Sequence, residues 1–211
     1  MKKVLVFIAT AIAIHVSANA QSLQTAVTQL DQASSAKDYQ ALATRFEELA
    51  NKEPNNWLSW YYAAFCNAKT GWLYQDDGER IEAFANKAEQ QVKKALSLLD
   101  TTKQKKEFSE VLVVLSMANR ARVFINPMTM GRKYGPDAGK YVQLALKYNP
   151  NNARALYLYG WEKYATPKMW GGDKKKAKEL LTEAQQQLAS QNNGNEPHWG
   201  KKETEELLGK L

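Results

Sequence analysis

Glu53-Pro54-Asn55-Asn56 runs into Trp57-Leu58-Ser59-Trp60-Tyr61-Tyr62-Ala63-Ala64-Phe65, and the same wording returns far down the chain. There Asn149-Pro150-Asn151-Asn152 runs into Ala153-Arg154-Ala155-Leu156-Tyr157-Leu158-Tyr159-Gly160-Trp161. Each four-residue segment ends one helix and opens the next, because proline inside a helix removes a hydrogen bond and clashes with the preceding turn. A helix-turn-helix phrase that recurs is the mark of a repeat. Outward from these anchors lie apolar stripes spaced four and three apart: Leu42, Phe46 and Leu49 after Lys37-Asp38-Tyr39, and Ala177, Leu181 and Ala184 after Gly172-Asp173-Lys174. Ala138, Val142 and Ala145 flank Tyr141 in the same way, and Ala88, Val92 and Ala95 form a fourth set. The spacing predicts helices over about 22–34, 38–51, 55–70, 79–99, 103–125, 136–148, 151–165, 173–189 and 201–210, with Pro136 in the first turn of its helix. Alanine, leucine, lysine, glutamate and glutamine dominate, and β-branched residues cluster only around Val111 to Val114.

These stripes resemble the tetratricopeptide repeat, whose first helix carries a large and then a small apolar residue and whose second carries small-aromatic-small positions. Trp60 with Ala64, and Leu156 with Gly160, match the first-helix positions; the four stripes match the second. The resemblance implies an all-α, right-handed array of about four helix pairs plus a C-terminal capping helix, a TPR-like α-solenoid. Its units run over about 23–56, 57–102, 103–152 and 153–191, with a cap over 197–211. Only the first unit has the family length. The additional residues fall between the first and second helices of a unit: Gly71 to Gly78, Asn126 to Gly135 and Thr166 to Gly172. These three segments carry Trp72, Leu73, Tyr74, Met128, Met130, Tyr134, Met169 and Trp170, and equivalent loops of a stack emerge on one edge. Their Pro-x-Met and Gly-Gly-Asp-Lys-Lys wording is also similar to that of exported repeat proteins of Gram-negative bacteria.

The first residues decide how composition is counted. Lys2 and Lys3, the apolar run Val4 to Val16 and the small-residue site Ala18-Asn19-Ala20 read as a signal peptide over 1–20, the run being too short for the roughly 20 residues of a bilayer span. The expected mature chain, 21–211, is a single exported domain, periplasmic or secreted, with no transmembrane segment. Without Lys2 and Lys3 the formal charge falls from +7 to +5, and the interspersed acidic residues read the lysines and arginines, Arg120 and Arg122 among them, as solvated helix faces. Nucleic acid is therefore not an expected partner. One histidine, His198, and one cysteine, Cys66, remain, which excludes an intramolecular disulfide and any multi-Cys/His metal site.

No constellation of nucleophile, base and orienting partner is visible, so no enzyme, metal or cofactor is expected. Asp76-Asp77-Gly78-Glu79 lacks the alternating oxygen ligands and distal glutamate of a calcium loop, and Gly171-Gly172-Asp173-Lys174 lacks the pattern of a phosphate loop. Both read as turns with a carboxylate at a helix start. Cys66 reads as a buried thiol, and Trp199 as the anchor of the tail on the last unit.

What the resemblance implies about a site is a binding face made by the first helices. Transferred position by position, that face includes Tyr61 and Phe65 in the second unit and Arg154, Tyr157 and Trp161 in the fourth, with Tyr164 sharing the face of Trp161. Aromatic rings of this kind serve either as the core of a short arc or as a surface for a protein or peptide of the cell envelope. Trp72, Met169 and Trp170 form a loop surface that either caps the stack or makes adaptable contacts. The expected function is a non-enzymatic scaffold for a peptide or protein. A small-molecule carrier walled by the Trp72 and Trp170 loops, or a structural subunit of an envelope assembly, is the alternative.

Overall fold

The computed structural model describes residues 22–75, 77–191 and 194–211. The expected signal peptide and Asp76 lie outside them. The described chain is all helical: α1 (22–30), α2 (Ala36–Lys52), α3 (Trp57–Leu73), α4 (Gly78–Ser97), α5 (Lys105–Ile125), α6 (Met130–Tyr148), α7 (Ala153–Ala165), α8 (Lys174–Ala189) and α9 (Lys201–Leu208). A 3₁₀ turn, Lys168–Trp170, stands between α7 and α8. No described residue is in a strand.

Helix starts are set by short polar side chains. Ser35 and Asp38 form a reciprocal capping box at α2. Asn56 and Asn152 accept backbone N–H groups at the starts of α3 and α7, which explains why the two Pro-Asn-Asn phrases open helices. Asp77 and Asp173 cap α4 and α8 in the same way.

From α2 onward each helix packs against the next, and α3, α5 and α7 also pack side by side. Contacts among these three pair beginnings with beginnings and ends with ends, so they run in the same direction: Tyr61, Glu110 and Arg154 meet near their starts, and Trp72, Phe124 and Trp161 near their ends. The stripes Ala88/Val92/Ala95, Ala138/Val142/Ala145 and Ala177/Leu181/Ala184 are buried on single faces of α4, α6 and α8. By contrast α3 is buried from Ser59 through Ala68, and α5 from Ser109 through Arg122. Helices buried all round form the centre of an array, and one-faced helices its outside.

Close approach needs small residues. A Cβ on Gly160 would stand 2.7 Å from Leu181 Cγ, so glycine lets α7 lie directly on α8. Ser109 and Ser116 of α5 donate to the Ala145 and Ala138 carbonyls of α6 at 2.8 Å each, tying the central helix to its neighbour.

Two expectations change. Pro136 lies inside α6, which begins at Met130, six residues earlier than the spacing predicts. Asn126 winds the chain early: its side chain accepts from Met128 and Thr129, and its carbonyl takes the Met130 N–H at 2.8 Å. Met130 and Tyr134 are consequently helical, leaving only Asn126 to Thr129 between α5 and α6. Likewise Trp72 belongs to the last turn of α3 rather than to a loop.

Candidate functional site

The face shared by α3, α5 and α7 has two ends with opposite fates. At the first, Tyr61, Phe65, Arg154 and Tyr157 are all buried. What covers them is the chain's own C-terminal segment. Trp199 stacks on Phe65 at 4.5 Å between ring centroids, meets Tyr157 edge-on at 6.4 Å, and donates its indole N–H to the Tyr61 hydroxyl at 2.8 Å. Tyr62 donates toward the carbonyls of Asn195 and Glu196, and Lys69 pairs with Glu203 of α9 at 2.7 Å. His198 reaches Asp31 just past α1 at 2.8 Å. The tail therefore anchors on the central helices and the N-terminal region, not on the last unit alone.

Beneath it, Arg154 donates from Nε and Nη2 to the two oxygens of Glu110 at 2.7 and 2.8 Å, and from Nη1 to Gln191 at 2.8 Å. Burial opposes its charge, but Glu110 outweighs burial and raises the guanidinium above its usual range. Burial pushes the Tyr61 hydroxyl up as well. Groups so fully partnered make a structural lock rather than a surface that receives a partner.

The second end is open. Trp72, Phe124 and Trp161, from the last turns of α3 and α5 and the second half of α7, form a half-buried triangle with centroid separations of 5.6, 5.0 and 5.9 Å. The indole N–H of Trp72 donates to the Met117 carbonyl at 2.8 Å, which fixes its ring. Tyr164, one turn beyond Trp161, is half-buried under Lys174. Around this end stand the large apolar side chains most exposed to solvent: Leu73, Met128, Met169 at 82% and Trp170 at 61%. Met169 and Trp170 thus stand outward instead of capping the stack.

Their loop is shaped by two glycines. Gly171 takes a left-handed φ of 94°, and a Cβ on Gly172 would fall 1.8 Å from the Thr166 carbonyl oxygen. Lys163 closes the loop by donating to the Gly171 carbonyl at 2.9 Å. The loop thus holds two large apolar side chains exposed to solvent.

Arg120 completes this end and was not anticipated. Its charge read as part of a solvated face, yet it is 6% exposed, one turn before Phe124, with its guanidinium carbon 5.7 Å from the Trp161 ring and paired to Glu162. Arg122 is buried too, held by Glu82, Asn86 and Glu89. The sequence does not single out Phe124 because α5 is buried on every side from Ser109 to Arg122, polar residues included, so its spacing marks no one face.

Burial raises the Cys66 thiol well above its ordinary range. Among the described residues, no three His, Cys, Asp or Glu side chains group as metal ligands, and no helix is long and apolar enough to cross a membrane. A cleft of about 210 Å³ between the N-terminal region and the tail, lined by Tyr39, Tyr62 and Trp199, is smaller than the roughly 300–1,000 Å³ of ligand pockets.

No protein-family model matches the chain, and no curated protein does. Among solved structures it is similar to the HusA haemophore from Porphyromonas gingivalis, with a TM-score of 0.78 and 29% sequence identity over 90% of each chain.

Proposed function

We propose that this protein is an exported, non-enzymatic carrier that binds a porphyrin, haem above all, at the open end of the central helix face. The observation that carries the reading is the likeness to a haemophore, a haem carrier, along nine-tenths of both chains. The chemistry of the open end supports it. A porphyrin is a flat apolar plate larger than any single side chain, and the Trp72–Phe124–Trp161 triangle offers ring faces and edges for it to lie on. Met128, Met169 and Trp170, on the segments that follow α5 and α7, offer exposed, adaptable apolar side chains, and thioether and phenol groups such as those of Met169 and Tyr164 are among the ligands haem iron accepts.

The same reading takes residues 1–20 as a removed signal peptide, 21–211 as one domain, and the helix pairs as a TPR-like right-handed array. The second reading, a peptide or protein partner, is favoured by one observation: a peptide segment, the chain's own tail, already lies on Tyr61, Phe65 and Tyr157. It leaves Trp161 and Tyr164 as the partner's share of the face.

Haemin titrated into the purified protein tests the proposal. Saturable growth of a shifted Soret band with quenching of tryptophan fluorescence is expected, weakened roughly tenfold to a hundredfold in a folded Trp72→Ala/Trp161→Ala variant. An absorbance rise that stays linear with added haemin sinks it.

A further inference from the structure

Among the described residues three arginines are buried: Arg120, Arg122 and Arg154. In two of them no buried nitrogen lacks a partner. Arg154 has both Glu110 oxygens and Gln191, and Arg122 has Glu82, Asn86 and Glu89. Arg120 is different. Its Nη2 donates to Glu162, while its Nε is buried with no hydrogen-bond partner among the described residues. A buried N–H left unpaired costs about 1–3 kcal/mol, more on a charged group, and native proteins rarely keep one without a reason.

The exception is also the arginine that borders the open aromatic end. Arg120 lies four residues before Phe124 on the same face of α5, and its guanidinium is 5.7 Å from the Trp161 ring. Glu162, its one carboxylate, is 28% exposed, so the pair reaches the surface through its acidic member. Burial holds the Arg120 guanidinium below the usual arginine range, and Glu162 offsets only part of that. The charge stands incompletely compensated beside a platform for a flat apolar ligand.

We infer that Arg120 is the positioning residue for a carboxylate carried on the edge of the bound porphyrin, the carboxylate joining or displacing Glu162 on the guanidinium fork. This rests on the porphyrin reading and adds to it an orientation: macrocycle over Trp72, Phe124 and Trp161, acidic edge toward the α5–α7 junction. A guanidinium is suited to the task because its planar donors match both oxygens of a carboxylate.

The test compares haemin with haemin dimethyl ester, whose carboxylates are blocked, on the wild-type protein and on R120Q/E162Q, which removes both charges together. Wild type binds the free acid roughly tenfold to a hundredfold more tightly than the ester, and the double variant loses that preference while still binding the ester. R120K, which keeps the charge but not the fork, restores only part of it. Equal affinity of wild type for acid and ester, with saturable binding of both, overturns the role of Arg120 and leaves the porphyrin reading standing. A double variant that keeps the full preference does the same. Failure of wild type to bind either compound overturns both.

Discussion

Removing the Trp199 side chain measures how firmly the tail seals the first end of the central face. In Trp199→Ala the stack on Phe65, the edge contact with Tyr157 and the hydrogen bond to Tyr61 disappear together. Truncating a buried Trp or Phe to Ala costs about 3–5 kcal/mol, and Trp199 is only partly buried, so the lower end of that range applies. The hydrogen bond contributes about 1 kcal/mol of it, because the Tyr61 hydroxyl keeps Glu110 as a more distant partner at 3.5 Å. A loss of about 3 kcal/mol lowers the melting temperature of a chain this size by about 6–12 °C. Trp199→Phe keeps most of the stack and loses about 1 kcal/mol. Urea and thermal unfolding followed by circular dichroism measure both variants. Hydrogen exchange on Trp199→Ala reports faster exposure of α9 than of α5. If Trp199→Ala stays within about 0.5 kcal/mol of wild type, the tail does not seal this face, and the burial of Tyr61 and Phe65 needs another explanation.

Three further outcomes follow from single contacts. Gly172→Ala drives a Cβ into the Thr166 carbonyl and is expected to cost on the order of 3 kcal/mol and expose the 166–173 loop to proteases, whereas Gly171→Ala costs about 1 kcal/mol for its left-handed φ; equal, small effects on melting temperature would contradict the loop geometry. Burial favours the neutral form of Glu203, but the charge and hydrogen bond of Lys69 outweigh it and hold the carboxyl below the usual range. That contribution is complete above the unfolded value of about 4.3 and is lost as pH falls through the lower folded value, so the tail should loosen below about pH 4. Lys69→Met should flatten that dependence, as followed by Trp199 fluorescence in a background lacking the other tryptophans. Cys66 should resist a thiol-specific reagent in native protein and react fully in urea; prompt native labelling would show that the α3 core opens readily.

The helices were legible because their punctuation is local. Pro54 and Pro150 stop helices wherever they stand, and Asn56, Asn152, Asp77 and Asp173 cap the next within three residues. Amphipathic helices such as α4 and α8 also declare their buried stripe. The central helices do not. In α5 the run from Ser109 to Arg122 is buried on every side, so periodicity carries no sign of which residues face Trp72 or Trp161. That is why Phe124 went unassigned and Arg120 was read as solvated: a lone arginine looks the same in sequence whether Glu162 lies beside it or water does. Pro136 misled for a related reason, since the turn that starts α6 depends on Asn126, ten residues earlier.

The two ends of the central face differ in what packs on them. An α-helix rises about 1.5 Å per residue, so the 17 residues of α3 span about 25 Å and the eight of α9 about 12 Å. α9 packs against α8, and Trp199 just before it sits on Phe65, Tyr61 and Tyr157, whereas Trp72, Phe124 and Trp161 form their own cluster. The two ends share aromatic and arginine residue types, and what distinguishes them is that Trp199 packs on the rings of the first, whereas Trp72, Phe124 and Trp161 at the second pack on one another. Met169 and Trp170, on the glycine-shaped loop that follows α7, stand exposed to solvent. The porphyrin proposed for this end would supply the burial that the half-buried Trp72, Phe124 and Trp161 otherwise lack.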